Sequence, residues 1–104
     1  MQRKINIPGL TEEDMAKLDS IFLSEKRVSS LILYGSRATG TFRAGSDIDL
    51  ALKSDELSVR QLARMEMEID DLLLPYNLDI SIYGQIENLD LLEHIRRVGI
   101  VIYE

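Results

Sequence analysis

The chain of 104 residues is 45% hydrophobic and 29% charged, which is the composition of a single small globular domain over residues 1–104 and not of a disordered or membrane-embedded chain. It has no cysteine, which excludes disulfides, thiolate metal sites and a cysteine nucleophile and leaves oxygen ligands for any metal. A formal net charge of −6 argues against nucleic acid as a direct partner, because a long contact with phosphates needs a basic face.

The first half of the chain carries helix and strand signals on either side of a glycine-rich turn. Residues MQRKINIPGL have only isolated apolar side chains, which predicts no signal peptide and a cytoplasmic protein without membrane contact. Thr11 and Asp14 resemble a capping box and predict a first helix over about residues 11–24. The segment VSSLILY, residues 28–34, predicts a buried strand, and RATG after it can begin a short helical turn.

The second half continues the alternation of helices and strands. SDIDLALK predicts a second strand over about residues 47–53. From Ser58 the apolar residues recur at intervals of three and four, which predicts a second helix that ends before Pro75. NLDISIY predicts a third strand over residues 77–83, and a third helix over about residues 89–98 precedes a short last strand, IVIYE. The order of elements indicates an α/β (α+β) fold.

Two carboxylates, Asp47 and Asp49, lie one residue apart in the predicted second strand and therefore point to the same face. Asp79 lies on the polar side of the third strand, so three carboxylates converge if the two strands are neighbours. Like charges this close raise one another's pKa and repel unless a cation neutralises them. Oxygen ligands without His or Cys select Mg²⁺ or Mn²⁺, and Mg²⁺ usually completes its coordination with substrate phosphates. The acids therefore indicate a nucleotide.

A place for phosphates lies just before these acids. Gly35 and Ser36 follow a strand and precede the short helical turn, so backbone N–H groups and the Ser36 hydroxyl can face an anion. A lone Gly-Ser is usually only a turn, and a lone Asp-x-Asp is more often a solvated strand edge. Their combination at this spacing, with a third acid on a later strand, is far more specific.

The stretch GSRATGTFRAGSDIDLAL resembles the signature of the nucleotidyltransferase superfamily related to DNA polymerase beta. It is most similar to the minimal nucleotidyltransferases, the small MntA-like antitoxins encoded beside HEPN-domain toxins. The resemblance implies a small mixed β-sheet flanked by helices. It also implies that Gly35 and Ser36 contact the nucleotide phosphates and that Asp47 and Asp49 bind two Mg²⁺ ions. Asp79 would complete the metal site and help to deprotonate the attacking hydroxyl.

Other polar residues near the turn have weaker claims. We include Arg37 and Ser46 among the residues predicted to contact the nucleotide. Arg37 and Arg43 flank the turn and either pair with a triphosphate or are solvated turn residues. Lys53 shares the strand face of the acid pair and has the same two alternatives. His94 lies near the basic end of a predicted helix, where positive charge suits the helix dipole, so we expect a surface role for it.

The resemblance implies an antitoxin that transfers AMP from ATP, with Mg²⁺, to a hydroxyl of a HEPN-type RNase toxin, with a tyrosine as the expected acceptor. The two proteins would form a hetero-oligomer. One alternative is modification of a small molecule, although relatives that do so carry an added substrate domain. Another is a non-catalytic antitoxin that inhibits the toxin by steric contact and retains the acids as a relic. The complete Gly-Ser and three-aspartate set favours catalysis.

Overall fold

The structure is a computed structural model that describes residues 5–104, and residues 1–4 of the predicted domain lie outside the described part. Helices and strands follow the predicted order. They are α1 (Glu12–Ser24), β1 (Ser30–Tyr34), α2 (Ser36–Thr39), β2 (Ile48–Lys53), α3 (Val59–Asp70), β3 (Leu78–Ile82), a 3₁₀ turn (Tyr83–Gln85), α4 (Leu89–Val98) and β4 (Ile100–Tyr103).

The four strands form one mixed sheet in the order β3-β2-β1-β4. β1 pairs antiparallel with both β2 and β4, whereas β2 pairs parallel with β3. A parallel pair needs a crossover connection, which α3 provides here. The prediction of a small mixed sheet flanked by helices is therefore confirmed.

Side-chain caps explain where the longer helices begin. The Thr11 hydroxyl accepts a hydrogen bond from the Asp14 N–H at 3.1 Å, as the predicted cap requires. At α3, Ser58 and Gln61 form a complete capping box, in which each side chain accepts from the other residue's N–H. The Asn88 side chain caps α4 by accepting one hydrogen bond, from the Leu91 N–H at 3.1 Å. None of the helices in residues 5–104 is long and apolar enough to cross a membrane.

Helices cover both faces of the sheet, but one face carries a larger apolar core than the other. α1 and α3 pack on this face, which we call the core face, and bury seven leucine and isoleucine side chains of strands β1 to β3. These strand residues are Leu31, Leu33, Ile48, Leu50, Leu52, Ile80 and Ile82. The opposite face, which we call the α4 face, has a smaller apolar cluster built around Ile32, Tyr34, Ala51 and Ile95. Most of the hydrophobic stabilisation therefore comes from the core face.

β4 is tied to the rest of the molecule on two sides. It pairs with β1 through the register Ile32 to Val101 and Leu33 to Ile100. The hydroxyl of Tyr103 donates a hydrogen bond to the carbonyl oxygen of Phe22 on α1 at 3.3 Å, across 81 positions of the sequence. The last strand therefore joins the sheet and the core face at once.

Candidate active site

The register of the sheet brings the predicted acids of β2 and β3 together. Asp49 lies directly opposite Asp79 on β3 and opposite Tyr34 on β1. All three side chains belong to the α4 face, because their neighbours along each strand are buried in the core face. Asp47 differs from the prediction, since β2 begins at Ile48 and Asp47 lies exposed in the preceding loop. The condition stated in the sequence analysis, that β2 and β3 are neighbours, is met.

Gly35 brings the turn that is predicted to bind phosphate against Asp49, the acid that lies between Tyr34 and Asp79. Its φ of +73° is a backbone conformation that favours glycine. A Cβ atom at this position would collide with the Oδ2 atom of Asp49. Gly35 also caps α2, and its carbonyl accepts hydrogen bonds from the N–H groups of Ala38 and Thr39. The N–H groups of Ser36 and Arg37 are therefore the ones without a partner inside this turn. The Asp49 carboxylate thus lies against a turn that begins with two such backbone donors.

The electrostatics of this volume agree with the geometry. Burial raises the pKa of Asp49 above its ordinary value, and the nearby carboxylates of Asp79 and Asp47 raise it further, whereas the charge of His94 lowers it. The pKa of Tyr34 is also raised, first by burial and then by Asp79 and Asp49. The carboxylates of Asp79 and Asp47 thus raise the pKa of Asp49, and a bound cation would relieve this repulsion.

The residues present suit a hard cation by their donor chemistry. Within residues 5–104, no three His, Asp or Glu side chains are already arranged as a cage for a metal ion. Asp47 and Asp79 are exposed, so their carboxylates can turn towards a cation shared with Asp49. Carboxylate oxygens without thiolate are the ligands of Mg²⁺ and Mn²⁺. This donor set fits the Mg²⁺ that the resemblance implies.

Arg37 is buried, unlike the solvated turn residue that one of its two alternatives described. It is only 1% exposed, and its guanidinium donates to the carbonyl oxygens of Pro8 at 2.8 Å and Ser46 at 2.9 Å. The same group stacks between the rings of Phe42 and Tyr76, each 4.9 Å from the guanidinium carbon. The alternative of a solvated Arg37 is therefore wrong, and its guanidinium donates to the protein's own loops. A nucleotide contact by Arg37 stays a prediction. Arg37 positions the loop that carries Asp47.

The remaining basic and polar candidates lie at the edges of the site. Ser46 accepts a hydrogen bond from the Arg43 N–H through its hydroxyl at 2.8 Å, which closes the loop before Asp47. The Arg43 side chain is exposed. Lys53 is at the far end of β2, about 13 Å from Asp49 at the usual rise of a strand, and its ammonium lies 5.0 Å from the centre of the Tyr83 ring. A nucleotide contact by Ser46 stays a prediction.

Two residues of the site, Tyr34 and His94, were not predicted to belong to it. The His94 ring meets the Tyr34 ring edge to face, with centroids 6.0 Å apart and an interplanar angle of 81°. His94 is half-buried, and its ring contact with Tyr34 is a feature that the expected surface role did not include. The helical spacing of the sequence indicates this position of His94, because residue 94 shares one face of α4 with the apolar residues Leu91, Ile95 and Val98.

The fold is that of a nucleotidyltransferase domain, and the sequence comparison shows the same class of protein. Residues 16–104 match the family described as Polymerase beta, Nucleotidyltransferase. The chain belongs to this family. No curated protein sequence matches it.

Solved toxin–antitoxin structures have the same fold. A chain in the crystal structure of a toxin–antitoxin with AMP-PNP has a TM-score of 0.67 and 20% identity, and the match covers 90% of this chain and 73% of that chain. A chain of an MntA–HpeT toxin–antitoxin mutant has a TM-score of 0.64 and 16% identity, covering 90% and 73%. A chain in the complex of a tri-AMPylated Shewanella oneidensis HEPN toxin with its MNT antitoxin has a TM-score of 0.60 and 14% identity, covering 86% and 71%.

Proposed function

We propose that the protein is an antitoxin that transfers AMP from ATP to a tyrosine hydroxyl of a HEPN-type RNase toxin. The observation that carries this proposal is the close packing of the Asp49 carboxylate against Gly35, with Asp79 opposite in register. This packing places acids able to bind a cation beside backbone donors able to bind phosphate. A site with both features suits a nucleoside triphosphate with its metal.

Two of the similar structures support the choice of nucleotide and partner. One toxin–antitoxin structure contains AMP-PNP. In another, the HEPN toxin beside the MNT antitoxin is tri-AMPylated. If this chain acts as those complexes suggest, ATP is its nucleotide and a HEPN toxin is its acceptor. The chain and the toxin would then form a hetero-oligomer.

Some residues of the site would bind the phosphates, and others would bind the metal ions. Gly35 and Ser36 would hold the phosphates through N–H groups and the Ser36 hydroxyl. Asp47, Asp49 and Asp79 would hold two Mg²⁺ ions. When bound, such ions lower the pKa of an acceptor hydroxyl and neutralise charge on the triphosphate.

The proposed transfer is a single displacement at the α-phosphorus of ATP. The tyrosine oxygen forms a bond to the α-phosphorus of ATP, and the bond from that phosphorus to the oxygen bridging the β-phosphate breaks. Pyrophosphate leaves with the electron pair of the broken bond. The tyrosine proton passes to the carboxylate of Asp79, which is exposed on the α4 face. The product is AMP in phosphodiester linkage to the partner's tyrosine.

The test is transfer to the product of the gene adjacent to this chain's gene, which the proposal expects to be a HEPN protein. Incubation with ATP and Mg²⁺ should add one or more AMP groups to a tyrosine of that protein and abolish its RNase activity after the two are separated. Asp49→Asn should bind the toxin without modifying it, whereas Asp71→Asn, at an exposed position outside the site, should transfer normally. Lasting inhibition by an unmodified complex in intact-mass spectra would instead establish steric neutralisation.

Ser36 gives a separate test of the phosphate turn. Its hydroxyl has no hydrogen-bond partner within residues 5–104, unlike that of Ser20, which donates to the Lys17 carbonyl. Ser36→Ala should therefore weaken the use of ATP and leave toxin binding intact, while Ser20→Ala should change neither. Steady-state kinetics with varied ATP measure the effect. Equal kinetic constants for both variants would remove Ser36 from the site.

A further inference from the structure

β3 forms one open edge of the sheet. The Ile48 N–H donates to the carbonyl of Asn77 at 2.8 Å, so the backbone groups of residues 77, 79 and 81 point towards β2. Because strand residues alternate, the N–H and C=O groups of the residues between them point away from the sheet. These outward residues are Leu78, Ile80 and Ile82. No strand within residues 5–104 pairs with this edge.

Two cavities follow this edge, one after the other, with α3 as a shared wall. The first, of about 330 Å³, is lined by Leu78 and Ile80 together with the C-terminal half of α3. The second, of about 390 Å³, is lined by Ser81 and Ile82 together with the start of α3 and the start of α4. We call the two cavities and the edge between them the β3 groove. The linings of the two cavities include successive residues of β3, so the groove has room for an extended chain beside this free strand.

The lining of the β3 groove has one sign of charge. Glu66 and Asp70 line the first cavity and Glu87 lines the second, and neither lining includes a lysine, arginine or histidine. Leu73 also lines the first cavity, with its side chain 87% exposed and its φ at +55°, which is uncommon for leucine. The groove therefore suits an extended segment that combines basic and apolar side chains.

The β3 groove also lies on the side from which an acceptor must approach. In-line displacement requires the attacking and leaving oxygens to lie on opposite sides of the phosphorus. The turn that would hold the phosphates follows β1, Asp49 is on β2 and Asp79 is on β3. If the phosphates lie at the turn after β1, as the proposed function has them, the attacking hydroxyl approaches from the side of β3.

We propose that the β3 groove binds an extended, basic segment of the partner protein as a fifth strand of the sheet. This inference rests on the proposed function. Neighbouring strands are about 4.8 Å apart, and their side chains alternate between the two faces. A partner residue paired opposite Asp79 can thus project over the α4 face, beside the acids. Strand addition supplies affinity through the backbone and places the acceptor tyrosine through its register.

Hydrogen exchange tests the strand directly. With the neighbouring HEPN protein added in the absence of ATP, amide exchange at Leu78, Ile80 and Ile82 should slow by about tenfold or more, because these outward N–H groups gain partners. The amides of residues 79 and 81, which already face β2, should change less. β4 at the other edge of the sheet is the control and should not change. Unchanged exchange at all three outward amides in the formed complex would overturn the proposal.

Charge reversal tests the chemistry of the occupant. Glu66→Lys with Asp70→Lys should raise the Kd for the HEPN protein by about tenfold, because the basic segment then meets like charge. The control, Glu68→Lys with Asp71→Lys, changes the net charge equally on residues of the same helix region that do not line the groove. Equal weakening by both variants would reduce the effect to general attraction and contradict a basic occupant.

The same pair of proteins, measured without ATP for amide exchange and with ATP and Mg²⁺ for transfer, separates this inference from the proposed function. AMP transfer without protection of the outward amides would refute the groove and leave the function standing. Protection without transfer would support the groove and refute the function. Protection that appears in the protein alone as its concentration rises would assign the edge to a second copy of this chain, which overturns the proposal.

Discussion

The core face and the α4 face are made by the same strands, yet they meet very different surroundings. On the core face, Leu50 and Leu52 are completely buried against α1 and α3. On the α4 face, Asp49 lies between Tyr34 and Asp79, and its pKa is raised by burial and by its acidic neighbours. Adjacent residues of β2 thus carry opposite tasks. The sheet concentrates stabilising contacts on one face and accepts electrostatic repulsion on the other.

The largest effect should come from breaking the core face. Leu50→Ala removes a fully buried side chain and should lower the free energy of unfolding by about 2–5 kcal/mol. Urea unfolding followed by circular dichroism measures this loss. Leu23→Ala, at an exposed position of α1, is the control and should change stability far less. A small loss at Leu50 would show that the core face is not the main source of stability.

The next effect concerns the neighbouring residue on the opposite face. Asp49→Asn should reduce AMP transfer by about 10² or more, the scale for losing a preorganised charge at a transition state. In EDTA its melting temperature should equal or slightly exceed that of the parent, because a like-charge repulsion is removed. A clear loss of melting temperature would make Asp49 a structural residue and erase the contrast between the faces.

A smaller loss of stability should follow from replacing Arg37, whose guanidinium holds the loop before Asp47. Arg37→Met leaves the carbonyls of Pro8 and Ser46 without their donor and should lower stability by about 1–3 kcal/mol. Arg43→Met, in the same loop but exposed, should change stability by less than about 0.5 kcal/mol. If Arg37→Met were stable and weakened only ATP use, the original prediction of a phosphate contact would be right.

The smallest effect is a pH-dependent difference in stability between the metal-free parent and Asp49→Asn. The folded pKa of Asp49 lies above its ordinary value of 3.8, so the folded state holds this proton more tightly than the unfolded state does. The metal-free parent should therefore lose stability relative to Asp49→Asn as pH rises from below 3.8 through the raised pKa. Above that pKa the difference should stay constant. Thermal unfolding in EDTA across this range would detect it, and a constant difference at every pH would contradict the raised pKa.

The fold was predictable because its signals are local. Caps such as Thr11 and Ser58, the three-and-four spacing of α3 and the alternation of β3 each act within a few residues. The placement of Asp79 beside Asp49 depended on one further condition, that β2 and β3 are neighbours. The parallel pairing through α3 satisfies it.

The parts that sequence reasoning missed depend on distant contacts. Arg37 binds a carbonyl 29 residues away and packs against Tyr76, and no local pattern announces either contact. His94 was judged by the basic residues next to it, while its surroundings depend on how α4 lies over Tyr34. The start of β2 was predicted one residue early, because the acids of the alternating pair were read as one strand segment.

The hydrogen bond from Tyr103 to Phe22 also has a consequence for folding order. The β1–β2 pair closes through one short connection, whereas β4 must return to β1 and α1 after most of the chain has been traversed. Closing a long loop costs more chain entropy than closing a short one, and contacts of high sequence separation slow folding. Strands β1 to β3, with the turn and all three aspartates, can therefore assemble before β4 docks. Docking of the last strand then completes a framework in which Asp49 and Asp79 already lie opposite each other.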